Sequence, residues 1–136
     1  MRTRTLVLAG LLALVAAVGA CNRGMLSPEA AGRLNQSKLL GLSVGMSKAD
    51  ALQVMGTTPY EVATGPVARE TIPNPYSSET FQNASGDLIE IVSYVSSEGD
   101  RLPMQALHFN EVPLVFRNGT LIGWGPDALD SVKRER

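Results

Sequence analysis

Val112-Pro113-Leu114-Val115-Phe116-Arg117-Asn118-Gly119-Thr120-Leu121-Ile122-Gly123-Trp124 is the stretch on which the fold turns. Two apolar runs, Val112 to Phe116 and Leu121 to Trp124, flank Arg117-Asn118-Gly119-Thr120. Asn-Gly is the favoured pair for a two-residue type I′ turn, because both central residues take positive φ. The spacing predicts an antiparallel hairpin. Gly125-Pro126-Asp127 closes its second strand, and a short helical turn is expected to follow, to about Val132.

Reading back from the hairpin, Leu88 to Ser96 carries Ile89, Ile91 and Val95 on one side and Leu88, Val92 and Tyr94 on the other. Both sides are apolar, as a central strand requires. Glu79 to Gln82 reads as its neighbour across Asn83-Ala84-Ser85-Gly86-Asp87. Tyr60 to Thr64 predicts a further short strand. Gly65-Pro66 and Pro73-Asn74-Pro75 are breakers, so residues 65 to 76 are expected to form an irregular loop. Ser97 to Asn110, with Gly99, Asp100 and Pro103, reads as a long connection.

Two helices precede the strands. Ser27-Pro28-Glu29 supplies a capping hydroxyl, a proline at the first helical position and an acid near the positive end of the helix dipole. That helix is expected to run to about Leu40, with Ala30, Leu34 and Leu39 as its apolar positions. Ser47 stands three residues before Asp50, in the manner of a capping box. Ala51, Leu52 and Met55 give the second helix an apolar face, Gly56 offers a left-handed stop, and Pro59 prevents continuation. The expected architecture is α+β: two helices packed on a three- or four-stranded antiparallel sheet.

The first twenty residues read differently. Arg2 and Arg4 form a positive start, Leu6 to Val18 is apolar or small, and Val18-Gly19-Ala20 offers the small residues a signal peptidase needs. The apolar run is shorter than the about 20 residues of a membrane-spanning helix. Val18-Gly19-Ala20-Cys21 resembles the lipobox of bacterial lipoproteins. That resemblance implies cleavage before Cys21, a diacylglycerol on its thiol and an acyl chain on its freed amine. Cys21 is the chain's one cysteine, so an internal disulfide has no partner. Each buried CH₂ contributes roughly 0.8 kcal/mol, so one chain attaches reversibly while two or more anchor stably. Asn22 follows the cysteine; by resemblance to enterobacterial lipoproteins, where Asp there retains the protein in the inner membrane, it favours the outer membrane.

The divisions that follow are a signal peptide over 1–20, a lipidated tether over 21–27, a domain over 28–130 and a solvated basic tail over 131–136. The first twenty residues carry two of the 12 Lys+Arg and none of the 13 Asp+Glu, so the remainder has ten basic against thirteen acidic groups, a net charge of −3. A basic face for nucleic acid is not to be expected. A domain of this size buries only about 60–65% of its unfolded surface.

Chemistry-bearing residues are sparse. His108 is the one histidine and lies in a loop beside Phe109. Cys21 is consumed by lipid. Ser77, Ser78, Ser96 and Ser97 stand in no G-x-S-x-G elbow. Glu98, Asp100 and Glu111 share a loop, yet their spacing matches no EF-hand. The reading is non-enzymatic, with no metal, no small-molecule substrate and no cofactor beyond the acyl chains. Trp124, Phe109 and Tyr76 are the candidate partner-binding residues, since aromatic side chains are over-represented at hot spots. The stretches 65–76 and 97–111 are candidate contact loops.

Gly45-Met46-Ser47-Lys48-Ala49-Asp50-Ala51-Leu52-Gln53-Val54-Met55-Gly56-Thr57-Thr58-Pro59 resembles the G-M-[ST]-K-x-[DE]-V-x-x-x-x-G-x-P signature of the SmpA/OmlA, or BamE-like, lipoprotein domain. Ala51 stands where the motif has Val, and one extra residue separates Gly56 from Pro59. The resemblance implies two helices against one face of an antiparallel sheet, as in the β-lactamase-inhibitor-protein fold, and a scaffolding role in outer-membrane protein assembly. The stretch from Pro113 to Gly125 is similar instead to small uncharacterised lipoproteins carrying PLVF-x-[DN]-G-x-L-x-GWG. Together these give a protein-binding or scaffolding module lipid-anchored at Cys21 on the periplasmic face of the outer membrane, with an envelope protein as partner. A periplasmic inhibitor or ligand-sensing module of the same fold is the alternative left open.

Overall fold

The computed structural model describes residues 26–98 and 109–136. In chain order they form α1 (Pro28–Leu39), α2 (Lys48–Met55), β1 (Tyr60–Ala63), β2 (Arg69–Ile72), β3 (Ser77–Gln82), β4 (Leu88–Glu98), β5 (Phe109–Arg117), β6 (Thr120–Trp124) and α3 (Pro126–Lys133). The fold is α+β. Strands β3-β4-β5-β6 make an antiparallel sheet in that order, and β1 and β2 pair as a separate antiparallel hairpin.

Two-sided burial of β4 follows from its sequence. Side chains alternate across a strand, so Val92 and Tyr94 face one layer and Ile89 and Ile91 the other. Val92 and Tyr94 pack with Leu114, Phe116 and Leu121 of the sheet and with Leu42, Ala51 and Met55 from α2 and the loop before it. Ile89, Ile91 and Val115 pack with Val132, Ala128 and Leu129 of α3. A third cluster joins Ala31 of α1, Tyr60, Val62 and Ile72 of the small hairpin, and Val95.

The hairpin turn forms as its sequence demands. Arg117 pairs with Thr120, and Asn118 and Gly119 take φ of 51° and 79°. The β5 strand is longer than its apolar run, beginning at Phe109. Both helix starts are capped as expected: Ser27 Oγ accepts from Ala30 N and Ser47 Oγ from Asp50 N, each at 3.1 Å. Gly56 ends α2 with φ of 78°, which favours glycine there.

Three expectations are corrected. Residues 65–76 are not wholly irregular, because Arg69–Ile72 pairs with β1, and Thr71 Oγ1 donates to Glu61 Oε1 across the pair at 2.7 Å. The breakers at 65–66 and 73–75 bracket that strand instead of abolishing it. The buried stripe of α1 is Pro28, Ala31, Gly32 and Asn35, with Leu34 40% exposed. Small residues bring the helix close to β4, where Asn35 and Gln36 donate their amides to Val95 O and Ser96 O at 2.9 Å. Ser93 O already accepts from Tyr76 N at 2.8 Å, so α1 continues the capping of that edge beyond β3.

The third correction is the tail. Val132 is fully buried, α3 runs to Lys133, and Glu135 accepts from Arg117 Nη2 at 2.6 Å and from Asn83 Nδ2 at 2.9 Å. Arg136 pairs with Glu79 and lies over the Phe81 ring. Glu135 and Arg136 are used against the sheet, while Lys133 and Arg134 are exposed as expected.

Candidate functional site

Polar chemistry concentrates inside the joint between α1, the end of α2 and the small hairpin. Asn35, wholly buried, donates to Val95 O and accepts from Tyr60 Oη at 2.8 Å. Lys38, one helical turn further, donates to Met55 O at 2.7 Å and to Tyr60 Oη at 3.1 Å. Asn74, also buried, lies 3.4 Å from the Asn35 amide and donates to Gly56 O at 3.2 Å. Tyr94 Oη reaches the same carbonyl at 3.3 Å.

Each of these groups has a partner, which a low-dielectric interior requires. Gly56 O and Met55 O are carbonyls left free at the end of α2, and the network satisfies them. Burial pushes the Tyr94 phenol up to about 12, and the neighbouring Tyr60 adds to the rise. The arrangement holds α1 to the sheet and keeps Tyr94 protonated.

The sequence-derived candidates fall in two places. Tyr76 and Phe109 meet edge to face, with ring centroids 5.6 Å apart, and both are half-buried against the cluster around Val95. Trp124 is not with them. It is half-buried on the opposite edge strand, facing Leu114 and packed on the cluster around Tyr94. Cys21 and His108 lie outside the described residues. Glu111 accepts from Ser77 Oγ at 2.7 Å, and Ser96 Oγ donates to Asn110 O at 3.1 Å, so these groups are used in strand-edge contacts.

Leu40 and Val44, 90% and 67% exposed, stand on the turn between α1 and α2. The sequence reading did not single them out. No local signal marked Leu40, because adjacent positions of a helix, such as i+3 and i+4, can share one apolar face. The same turn lies along β6: Gly45 N donates to Leu121 O and Leu121 N to Met46 O, both at 2.8 Å. Among the described residues there is no cluster of His, Cys, Asp and Glu able to hold a metal ion, no pocket, and no helix long and apolar enough to cross a membrane. No family model, no curated protein and no solved structure matches this chain.

Proposed function

We propose that this chain is a lipid-anchored envelope protein that acts by protein contact, as a binding or scaffolding module held through Cys21 on the periplasmic face of the outer membrane. The observation that carries the reading is Val18-Gly19-Ala20-Cys21 behind a charged and then apolar start, with a packed domain following at once. Leu26 already bridges to Val62. Anchoring on a shared surface raises the local concentration of a partner without adding any contact. Leu40 and Val44 supply exposed apolar surface for that partner. The BamE-like resemblance of residues 45–59 points to components of outer-membrane protein assembly.

The test is cross-linking in cells, followed by purification of the tagged protein and mass spectrometry. Membrane-assembly proteins recovered with the natural chain, and lost with Cys21→Ala and with Leu40→Asp/Val44→Asp, support the reading. Equal recovery from all three overturns it.

A further inference from the structure

The two edges of the four-stranded sheet are treated differently. Along β6, Gly45 N donates to Leu121 O, Leu121 N to Met46 O and Lys48 N to Gly119 O, each at 2.8 Å, so the loop before α2 takes up the outward backbone groups. β3 is the other edge, and among the described residues its outward backbone groups have no partner. The bonds around it identify them. Asn83 N donates to Asp87 O and Tyr76 N to Ser93 O on the β3 side of β4, while Asn118 N donates to Leu88 O on the β5 side. With Ser77 opposite Ser93, Glu79 opposite Ile91 and Phe81 opposite Ile89, the odd positions of β3 bond to β4. Ser78, Thr80 and Gln82 therefore aim their N–H and C=O groups outward, and all three are exposed.

Little in β3 would keep another strand away. Natural edges are blunted by bulges, prolines, lysines or short length. β3 has six residues, pairs with β4 without a register shift, and contains neither proline nor lysine. Its one charge, Glu79, is met by Arg136 of its own tail. β2 is a poorer template, four residues long between Pro66 and Pro73.

We propose that β3 pairs antiparallel with β3 of a second copy about a two-fold axis at Thr80, joining the two sheets into one. Charge selects both the occupant and the register. Centred on Thr80, all three outward residues are used: Ser78 meets Gln82 of the second copy, and Thr80 meets Thr80 of the second copy. On the α3 face, Glu79 stands opposite Phe81 of the second copy, whose ring carries that copy's Arg136 at 4.0 Å. Each Glu79 thereby gains a second arginine, and uncharged polar pairs meet on the other face. Centring on Glu79 would oppose the two Glu79 carboxylates, and centring on Phe81 would leave Ser78 unused. This self-complementary pattern favours a second copy over an unrelated strand. The pairing is independent of lipid on Cys21.

The full chain, with any lipid it carries, is extracted into excess mild detergent, and its mass is measured by sedimentation in density-matched buffer. A dimer is expected. Thr80→Pro removes an outward N–H and no bond to β4, so a folded monomer with an unchanged circular dichroism spectrum is expected. Single cysteines report the register. Thr80→Cys places two thiols on Cα atoms about 5.5 Å apart, within disulfide range, and is expected to give a covalent dimer on mild oxidation. Ser78→Cys places them roughly 13 Å apart and is expected to cross-link several-fold less. A monomeric natural chain overturns the proposal. So does a dimer that survives Thr80→Pro, or a Ser78→Cys chain that cross-links as readily as Thr80→Cys. If Thr80→Pro does not fold, the cysteine pair decides alone.

Discussion

Tyr60 donates its phenolic hydrogen to Asn35 Oδ1 at 2.8 Å, tying the start of β1 to the middle of α1 inside the core. Both side chains are buried, and Asn35 also donates to Val95 O. A buried polar group left without its partner costs about 1–3 kcal/mol. Tyr60→Phe is therefore expected to lose about 1–2 kcal/mol of stability, and Asn35→Ala about 3 kcal/mol, because the second change removes the donor to Val95 O and Asn74 Oδ1 and the acceptor of the Tyr60 hydroxyl hydrogen, leaving that hydroxyl only its bond from Lys38. Urea denaturation of the two single variants and the double measures this. The double variant should lose less than the sum; losses that add within about 0.5 kcal/mol would show that the two residues do not act together.

The β5–β6 turn separates backbone cost from side-chain cost. Gly119 has φ of 79° and open space where a Cβ would stand, so Gly119→Ala meets no clash. Its expected loss, roughly 1–2 kcal/mol, is the left-handed penalty alone. Asn118 Oδ1 accepts from Leu88 N at 2.9 Å and its Nδ2 donates to Asp87 Oδ1 at 2.8 Å, which locks this turn to the start of β4. Asn118→Gly keeps the φ and removes both bonds, with an expected loss of about 1 kcal/mol. Thermal unfolding compares them; an unaffected Gly119→Ala variant would mean that the turn can relax to another type.

Local signals with short reach were the legible ones. Asn118-Gly119, the serine caps at 27 and 47, and the two-sided apolar pattern of β4 each state their structure within a few residues, and each forms as expected. What escaped was set by partners outside the segment itself. Arg69 to Ile72 becomes a strand because β1 pairs with it, not because its own residues insist. Asn35 is buried because Val95, 60 residues away, needs its amide. Arg136 reads as a solvated charge until Glu79 and the Phe81 ring lie beneath it. Tyr76 and Phe109 could be nominated separately, but their contact across β4 could not be read from spacing.

The C-terminal helix is held by two kinds of contact, and their magnitudes differ. Val132 is fully buried between α3 and the sheet, and Val132→Ala is expected to lose about 2 kcal/mol. Glu135 binds Arg117 at 2.6 Å, but both side chains are 35% exposed, so solvent screens the pair. Glu135→Gln is expected to lose under about 1 kcal/mol, with the loss shrinking further as salt is added. Denaturation at low and high ionic strength ranks the two. A larger loss from Glu135→Gln than from Val132→Ala would make the ion pair, not burial, the main tie.

Tyr94 gives the domain an alkaline limit. Its phenol is raised from 10.0 to about 12 by burial, with Tyr60 contributing less. A folded-state value above the unfolded one means that the native state holds the proton more tightly. The associated stability is fully present below pH 10 and is lost as pH rises from 10 through about 12. The loss is on the order of 3 kcal/mol at the upper end of that window. Unfolding free energy measured across it should fall steeply for the natural chain and more gently for Tyr94→Phe, which has no proton to lose at this position. Near-ultraviolet phenolate absorbance that is present in the natural chain and missing from Tyr94→Phe should rise together with unfolding. Parallel falls in the two proteins would place the alkaline sensitivity elsewhere, with Tyr60 the next group to remove because it sits in the same buried network.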